Sequence, residues 1–225
     1  MTGLENLPQV ITAIGGLGTA AFGLVDATKA FWGGVNHIGF KGIKTTVSAL
    51  TPGTPANALS QNKILETLEA NWFNGTDLGS QKAIAKSLIK LNLSPDNAAA
   101  LAAATGVDPE VLGQIAISMA NGKPLDPAHG DVYARFDLIV TALLDETYQR
   151  CDEVYRCWTR VIAAVFAVAL SVTGGYMLHT TGSPSKHEIG QYVMVGLLAT
   201  PLAPIAKDLS TALATAVNTL QLVRK

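Results

Sequence analysis

Several groups of residues in this 225-residue chain have types and spacings that could carry chemistry. Asp26 and Lys29 lie three apart at the end of an uncharged run. In a helix they would share a face and could pair. One reading has Lys29 and Trp32 anchor the helix end at a membrane interface. The other has Asp26 face an internal cavity, because ionisable groups within a membrane usually mark an ion path.

A second group is Thr200-Pro201-Leu202-Ala203-Pro204, followed within a turn by Lys207-Asp208. Two prolines three apart remove two backbone donors and crowd the preceding turn, so a kink is expected. The carbonyls left over near Leu197 and Thr200 are tolerated only inside protein or beside a wet cavity. The Thr200 hydroxyl is one available partner. Asp26, Thr200, Pro201, Pro204, Lys207 and Asp208 are therefore the pore or cavity candidates.

Gly16-Leu17-Gly18-Thr19-Ala20-Ala21 matches the G-x-G-x-x-A turn of dinucleotide folds. The required context is missing, since no second strand with a terminal acidic residue follows. Gly15, Thr19 and Gly23 instead form a small-xxx-small row suited to close helix contact. Gly174 and Gly175 are assigned the same packing role.

Cys151 and Cys157 stand six apart, on different faces of a helix, which does not suit a metal pair. They read as core or interface residues. The histidines, His37, His129, His179 and His187, do not pair at ligand spacing. His179 and His187 bracket a short loop, where a pH-sensing role competes with plain solvation. No nucleophile elbow, P-loop or zinc cluster is present, so no enzyme activity, metal or cofactor is expected. Ala102 to Ile115 resembles a helix-turn-helix, but its second helix offers only Glu110, Gln114 and Ser118. The contacts of a DNA reader are absent and no nucleic-acid partner is expected.

The elements that must position these residues follow from the distribution of charge. Only 15 % of residues are charged and 48 % are apolar, with 16 basic against 17 acidic side chains. That balance excludes a disordered or nucleic-acid-coating chain. Twenty-one glycines and 6 % aromatics fit close helix packing in lipid. Three long uncharged runs stand out: Asn6 to Val25, Val161 to Leu178 and Ile189 to Ala206. Each is long enough for a spanning helix. The first lacks a positive n-region and carries Glu5, which argues against a cleaved signal peptide. Fifteen Lys and Arg residues fall on one side of such an arrangement and only Lys186 on the other. The expected orientation has the N-terminus outside and the central segment and C-terminus in the cytoplasm of a plasma (inner) membrane.

Residues 52–130 carry helix punctuation. Ser60 and Ser80 are expected to open two helices, and Ser94-Pro95-Asp96 and Asp108-Pro109-Glu110 two more. Gly106 should end the third, and Asn121-Gly122 the fourth. Lys82, Lys86 and Lys90 form a stripe, read either as a solvated face or as a contact for anionic headgroups. Gly33-Gly34, Gly39 and Gly42 punctuate a segment that suits either the membrane surface or a packed linker. From Asp131 a helix of about 45 residues is expected, from the cytoplasm into the bilayer. Its apolar stripe includes Val132, Phe136, Val140, Leu143, Thr147, Cys151, Val154 and Trp158. Phe136, Val140, Leu143, Val154 and Trp158 are the expected oligomer stripe.

The expected fold is an all-α integral membrane protein with three transmembrane helices. Residues 1–33 form the first span with its outer N-terminus, and 34–130 a cytoplasmic helical domain. Residues 131–178 form the long helix and second span, 179–188 an outer loop, and 189–225 a kinked third span with a cytoplasmic C-terminal helix. This layout is similar to that of the inner-membrane stator family of proton-driven motors, in topology alone, and no residue is carried over. The expected partners are the lipid bilayer, further copies of the chain, and possible other membrane proteins. The leading functional expectation is an oligomeric channel or pore lined by the kinked third span. The alternatives are a non-catalytic scaffold or accessory subunit, and a membrane-tethered sensor.

Overall fold

The computed structural model describes residues 7–53, 59–179 and 184–203. Every regular element among them is a helix. The helices are α1 (Leu7–Trp32), α2 (Val35–Leu50), α3 (Gln61–Phe73), α4 (Leu78–Asn92), α5 (Ala98–Thr105), α6 (Pro109–Ala120) and α7 (Pro127–Leu178). Residues 186–203 are also helical and are labelled α8. The chain divides into two compact units, one of Met1–Val35 with Arg156–Lys225, the other of Asn36–Tyr155.

The first unit joins α1, the C-terminal part of α7, and α8. Its core is made of small residues: Ala21, Ala167 and Ala199 are wholly buried, with Ile14, Leu17 and Phe166 packed around them. Glycines stand where helices cross. A methyl group on Gly18 would collide with the Ala199 carbonyl and lie 2.9 Å from the Ala203 Cβ. One on Gly196 would lie 2.5 Å from the Val168 Cα. One on Gly175 would enter the Tyr192 ring. The close approach at Gly18 and Gly196 gains dispersion contact without bulky side chains.

Two stretches are long and apolar enough to cross a membrane: Val10–Phe31, and a window within α7. Only 22 % of the first window and 11 % of the second is buried, which is unlike the core helix of a soluble protein. The third uncharged run is helical as far as residue 203. Its last residues, and the expected C-terminal helix through Leu209, Leu213, Val217, Leu220 and Val223, lie outside the described residues. Ser185 and Glu188 cap α8 reciprocally: the Glu188 carboxylate accepts the Ser185 N–H at 2.7 Å, and the Ser185 Oγ accepts the Glu188 N–H at 3.3 Å.

The second unit is a helical domain around one hydrophobic core. Phe40, Ile43, Val47 and Leu50 of α2 meet Ile64, Leu68 and Trp72 of α3 in that core, with Ile89, Leu101 and Leu112 from α4, α5 and α6. The segment holding Gly39 and Gly42 is thus a packed helix and not a surface strip. The caps follow local chemistry. Ser60 accepts the Lys63 N–H, and Asp108 accepts the Glu110 and Val111 N–H groups with Pro109 in the first turn. Gly106, at φ +67°, closes α5 in the left-handed conformation.

Three boundaries differ from expectation. The α4 helix opens at Asp77, whose carboxylate takes the Ser80 N–H at 2.9 Å, so Ser80 lies inside the first turn. The α5 helix opens at Asn97, because the Asn97 side chain accepts the Ser94 N–H and donates to the Asn92 carbonyl, holding Ser94-Pro95-Asp96 in a turn. The long helix begins at Pro127, where Asp126 accepts the Ala128 N–H, and so spans 52 residues, about 78 Å.

The face that α7 buries also differs. Phe136, Val140, Leu144, Tyr148 and Cys151 are buried in this domain's own core. Phe136 and Val140 are wholly covered and offer no surface to another chain. Leu143 packs partly against the same core, while Val154 and Trp158 are 37 % and 45 % exposed. The expected oligomer stripe is therefore split between a filled core and an open face. Four-residue steps from Phe136 reach Tyr148, whereas the expected row turned aside at Leu143.

Candidate functional site

Within the helical domain, α2 and α7 leave a groove of about 600 Å³. Its apolar walls are Ile38 from α2 and Leu143, Cys151 and Val154 from α7. Lys41 and Thr45 stand on the α2 side, Glu146 and Arg150 on the α7 side. Thr46 and Thr147 join across the groove by a hydroxyl hydrogen bond of 3.0 Å. Volumes of this size are usual for small-molecule sites.

The groove depends on glycine. A methyl group on Gly42 would lie 2.5 Å from the Cys151 Sγ. One on Gly39 would lie 2.6 Å from the Trp72 ring and 3.1 Å from the Tyr155 Cβ. The Trp72 indole N–H donates to the Asn36 carbonyl at 3.0 Å, fixing that end of α2 to α3. Burial pushes the Cys151 thiol up, against the opposing effect of the Ile43 and Gly42 backbone, so Cys151 is a packing group and a weak nucleophile. Cys157 is exposed.

The rim carries one ion pair, Arg150 Nη2 to Glu146 Oε1 at 2.8 Å. Among the described residues, Lys41 has no acidic partner within ion-pair distance.

A second charged array lies between α4 and α7. Lys82 pairs with Asp145 at 2.5 Å, Lys86 with Asp137 at 2.6 Å, and Lys90 with the same carboxylate at 3.0 Å. Lys90 also lies 5.0 Å over the Tyr133 ring. Burial raises the Asp137 pKa, but the two lysines more than offset it and the net shift is downward. The lysine stripe is thus neither a free solvated face nor a lipid contact; it ties α4 to α7. Asp137 and Asp145, which sequence reasoning passed over, stand two turns apart, matching the two turns from Lys82 to Lys90.

The first unit holds the other candidates. Asp26 is 71 % exposed and pairs with Lys29 at 2.7 Å, so its carboxylate faces outward and not into a cavity of the chain. The Thr200 hydroxyl is buried with no hydrogen-bond partner among the described residues. Pro201 is exposed, and α8 continues through it to residue 203. Pro204, Lys207 and Asp208 lie outside the described residues. Of the packing row, Gly15 is buried, but Thr19 is exposed with its hydroxyl bonded to the Gly15 carbonyl at 3.0 Å. Among the described residues nothing lies within 4 Å of a methyl built on Gly23 or Gly174, while Gly175 packs under Tyr192. The buried face of α1 is Gly15, Gly18, Ala21 and Val25. A strict four-residue step drifts off such a face, because it overshoots the 3.6-residue turn.

Among the described residues, no three His, Cys, Asp or Glu side chains converge as a metal site would require. Comparison with models of known families, with curated proteins and with solved structures finds no match.

Proposed function

We propose that the chain is an oligomeric integral membrane protein with three spans, which conducts ions along a path between its copies. In this reading the N-terminus is outside and the helical domain Asn36–Tyr155 lies in the cytoplasm. The carrying observation is the outward face of α1. Gly16, Ala20, Gly23 and Ala27 are all exposed, and among the described residues nothing lies within 4 Å of a methyl built on Gly16 or Gly23. A row of small residues on the open side of an apolar helix suits a second copy of that helix, whose backbone it lets approach closely.

The packing within one copy supports a path between copies. Gly18 meets Ala199, and Gly196 meets Val168, at backbone contact, which leaves no room for water at those crossings. Thr200 is partly exposed on α8 beside the exposed Leu197 and Pro201, which supports that face of α8 as the lining.

The test is ion flux in vesicles reconstituted with the full chain. Flux above that of empty vesicles, altered in Thr200→Val and lost in Gly23→Leu together with the oligomer, is the expected result. Flux equal to that of empty vesicles overturns the conducting role. A non-catalytic scaffold is the second reading, favoured by the open α2–α7 groove, and it predicts an intact oligomer without flux.

A further inference from the structure

We propose that the α2–α7 groove is a binding site for one anionic phospholipid of the surrounding bilayer, one of its two acyl chains along the groove and its headgroup on Lys41 and Arg150. The proposal rests on the reading that α1 and α7 cross the membrane. It adds a specific lipid site on a domain otherwise placed in water.

Shape is the first argument. The groove runs from Leu143 to Val154 along α7, eleven residues and about 16 Å of helix. It is mainly apolar and about 600 Å³ in volume, and that length and lining suit a chain better than a compact polar metabolite.

Charge is the second. Lys41 and Arg150 outnumber Glu146 at the rim, so the net charge there is positive. Glu146 already accepts from Arg150 Nη2, which leaves the remaining guanidinium donors for a phosphate. Lys41 adds a mobile ammonium from the opposite side.

Position along the chain is the third. Val154 precedes Val161, the start of an 18-residue uncharged run, by seven residues on one continuous helix, or about 10 Å. Ile38 follows the end of α1 at Trp32 by six residues. The groove residues and the apolar runs are therefore close neighbours along the chain.

The experiment uses the full chain in detergent and counts bound lipid by native mass spectrometry. Dioleoyl phosphatidylglycerol and dioleoyl phosphatidylcholine are offered in equal amounts. The wild type is expected to retain one phosphatidylglycerol per chain, about tenfold in preference to phosphatidylcholine, because two cations are engaged. Lys41→Gln/Arg150→Gln should abolish the preference, and Thr45→Trp, which fills the trough, should remove the retained lipid of either kind. Circular dichroism melting checks that both variants stay folded. Lys123→Gln, outside the groove, should behave as wild type. Equal retention of the two lipids by the wild type overturns the proposal, as does a preference that survives the double variant. So does displacement of the lipid by millimolar glycerol phosphate, which would mark a site for the free anion. Extraction by alkaline carbonate separates the two failures: a chain washed off the membrane overturns the spanning reading, whereas a chain that stays but shows no preference overturns the lipid site alone.

Discussion

The Nζ of Lys86 lies 2.6 Å from the Asp137 Oδ2, joining side chains 51 residues apart. Lys90 reaches the other oxygen of the same carboxylate at 3.0 Å, so Asp137 is held from both sides. These bonds orient α4 against α7 while the apolar core below them supplies most of the adhesion.

Replacing Asp137 by Asn leaves two lysines without their anion and should cost about 1 kcal/mol, after screening at a partly exposed site. The pH dependence has a definite sign. The folded pKa of Asp137 is lowered, so its stabilisation is present above the unfolded value of about 3.9 and is lost as pH falls through the folded value. The wild type should lose melting temperature on acidification from pH 6 to below about pH 4, and Asp137→Asn should lose less. Thermal melts across that range decide it. Equal losses in both proteins would show that Asp137 is not linked to folding.

Gly42→Ala should destabilise the helical domain by roughly 1–2 kcal/mol. The added methyl strikes the Cys151 Sγ, and that overpacking outweighs the gain of about 1 kcal/mol in helix propensity. Gly42→Ala/Cys151→Ala should be more stable than the sum of the single effects implies, since the second change makes room for the first. A double-mutant cycle by chemical denaturation measures the coupling; strict additivity contradicts the contact.

Tyr148 is wholly buried and its hydroxyl has no partner among the described residues. Burial also pushes its pKa upward, so it stays protonated throughout the ordinary range. Tyr148→Phe removes a buried polar group that makes no bond and should be neutral or stabilising by up to about 1 kcal/mol. A clear drop in melting temperature would reveal a bond to the hydroxyl.

Two glycines of α1 should behave differently. Gly18→Val collides with the Ala199 backbone and should unfold the small-residue bundle, seen as loss of the native detergent-stable species. Gly23→Leu meets open space among the described residues, so the chain should remain folded while its oligomer dissociates. Size-exclusion with light scattering reads both outcomes. An unchanged oligomer in Gly23→Leu rejects α1 as the association face.

The two cysteines should separate in a labelling experiment. Cys157 is exposed and Cys151 is 5 % exposed with its thiol pKa raised by burial. A maleimide should add one label per native chain and a second only after denaturation. Two rapid additions to native protein would place Cys151 at the surface.

Much of the helix order was legible in the residues themselves. Ser60, Gly106 and Asp108 act within one turn of their own backbone, so local chemistry sufficed to place the ends they control. The same local logic missed Asp77 and Asn97, because several polar residues near each start competed for one cap. The apolar runs were equally plain, since membrane-length segments are a matter of composition.

Partners across the fold were not legible. Lys82, Lys86 and Lys90 made a clear stripe, but only the packing of α4 on α7 put Asp137 and Asp145 opposite them. Gly39 and Gly42 marked close approach without saying to what; Trp72, Tyr155 and Cys151 supplied the answer. The sequence alone determined an all-helical chain with long uncharged segments, because propensity, capping and hydropathy act between near neighbours. Tertiary structure decided which face of each helix is buried, which charges pair and where a groove opens. Those outcomes depend on contacts between residues tens of positions apart, whose alternatives differ by small free energies that no local pattern records.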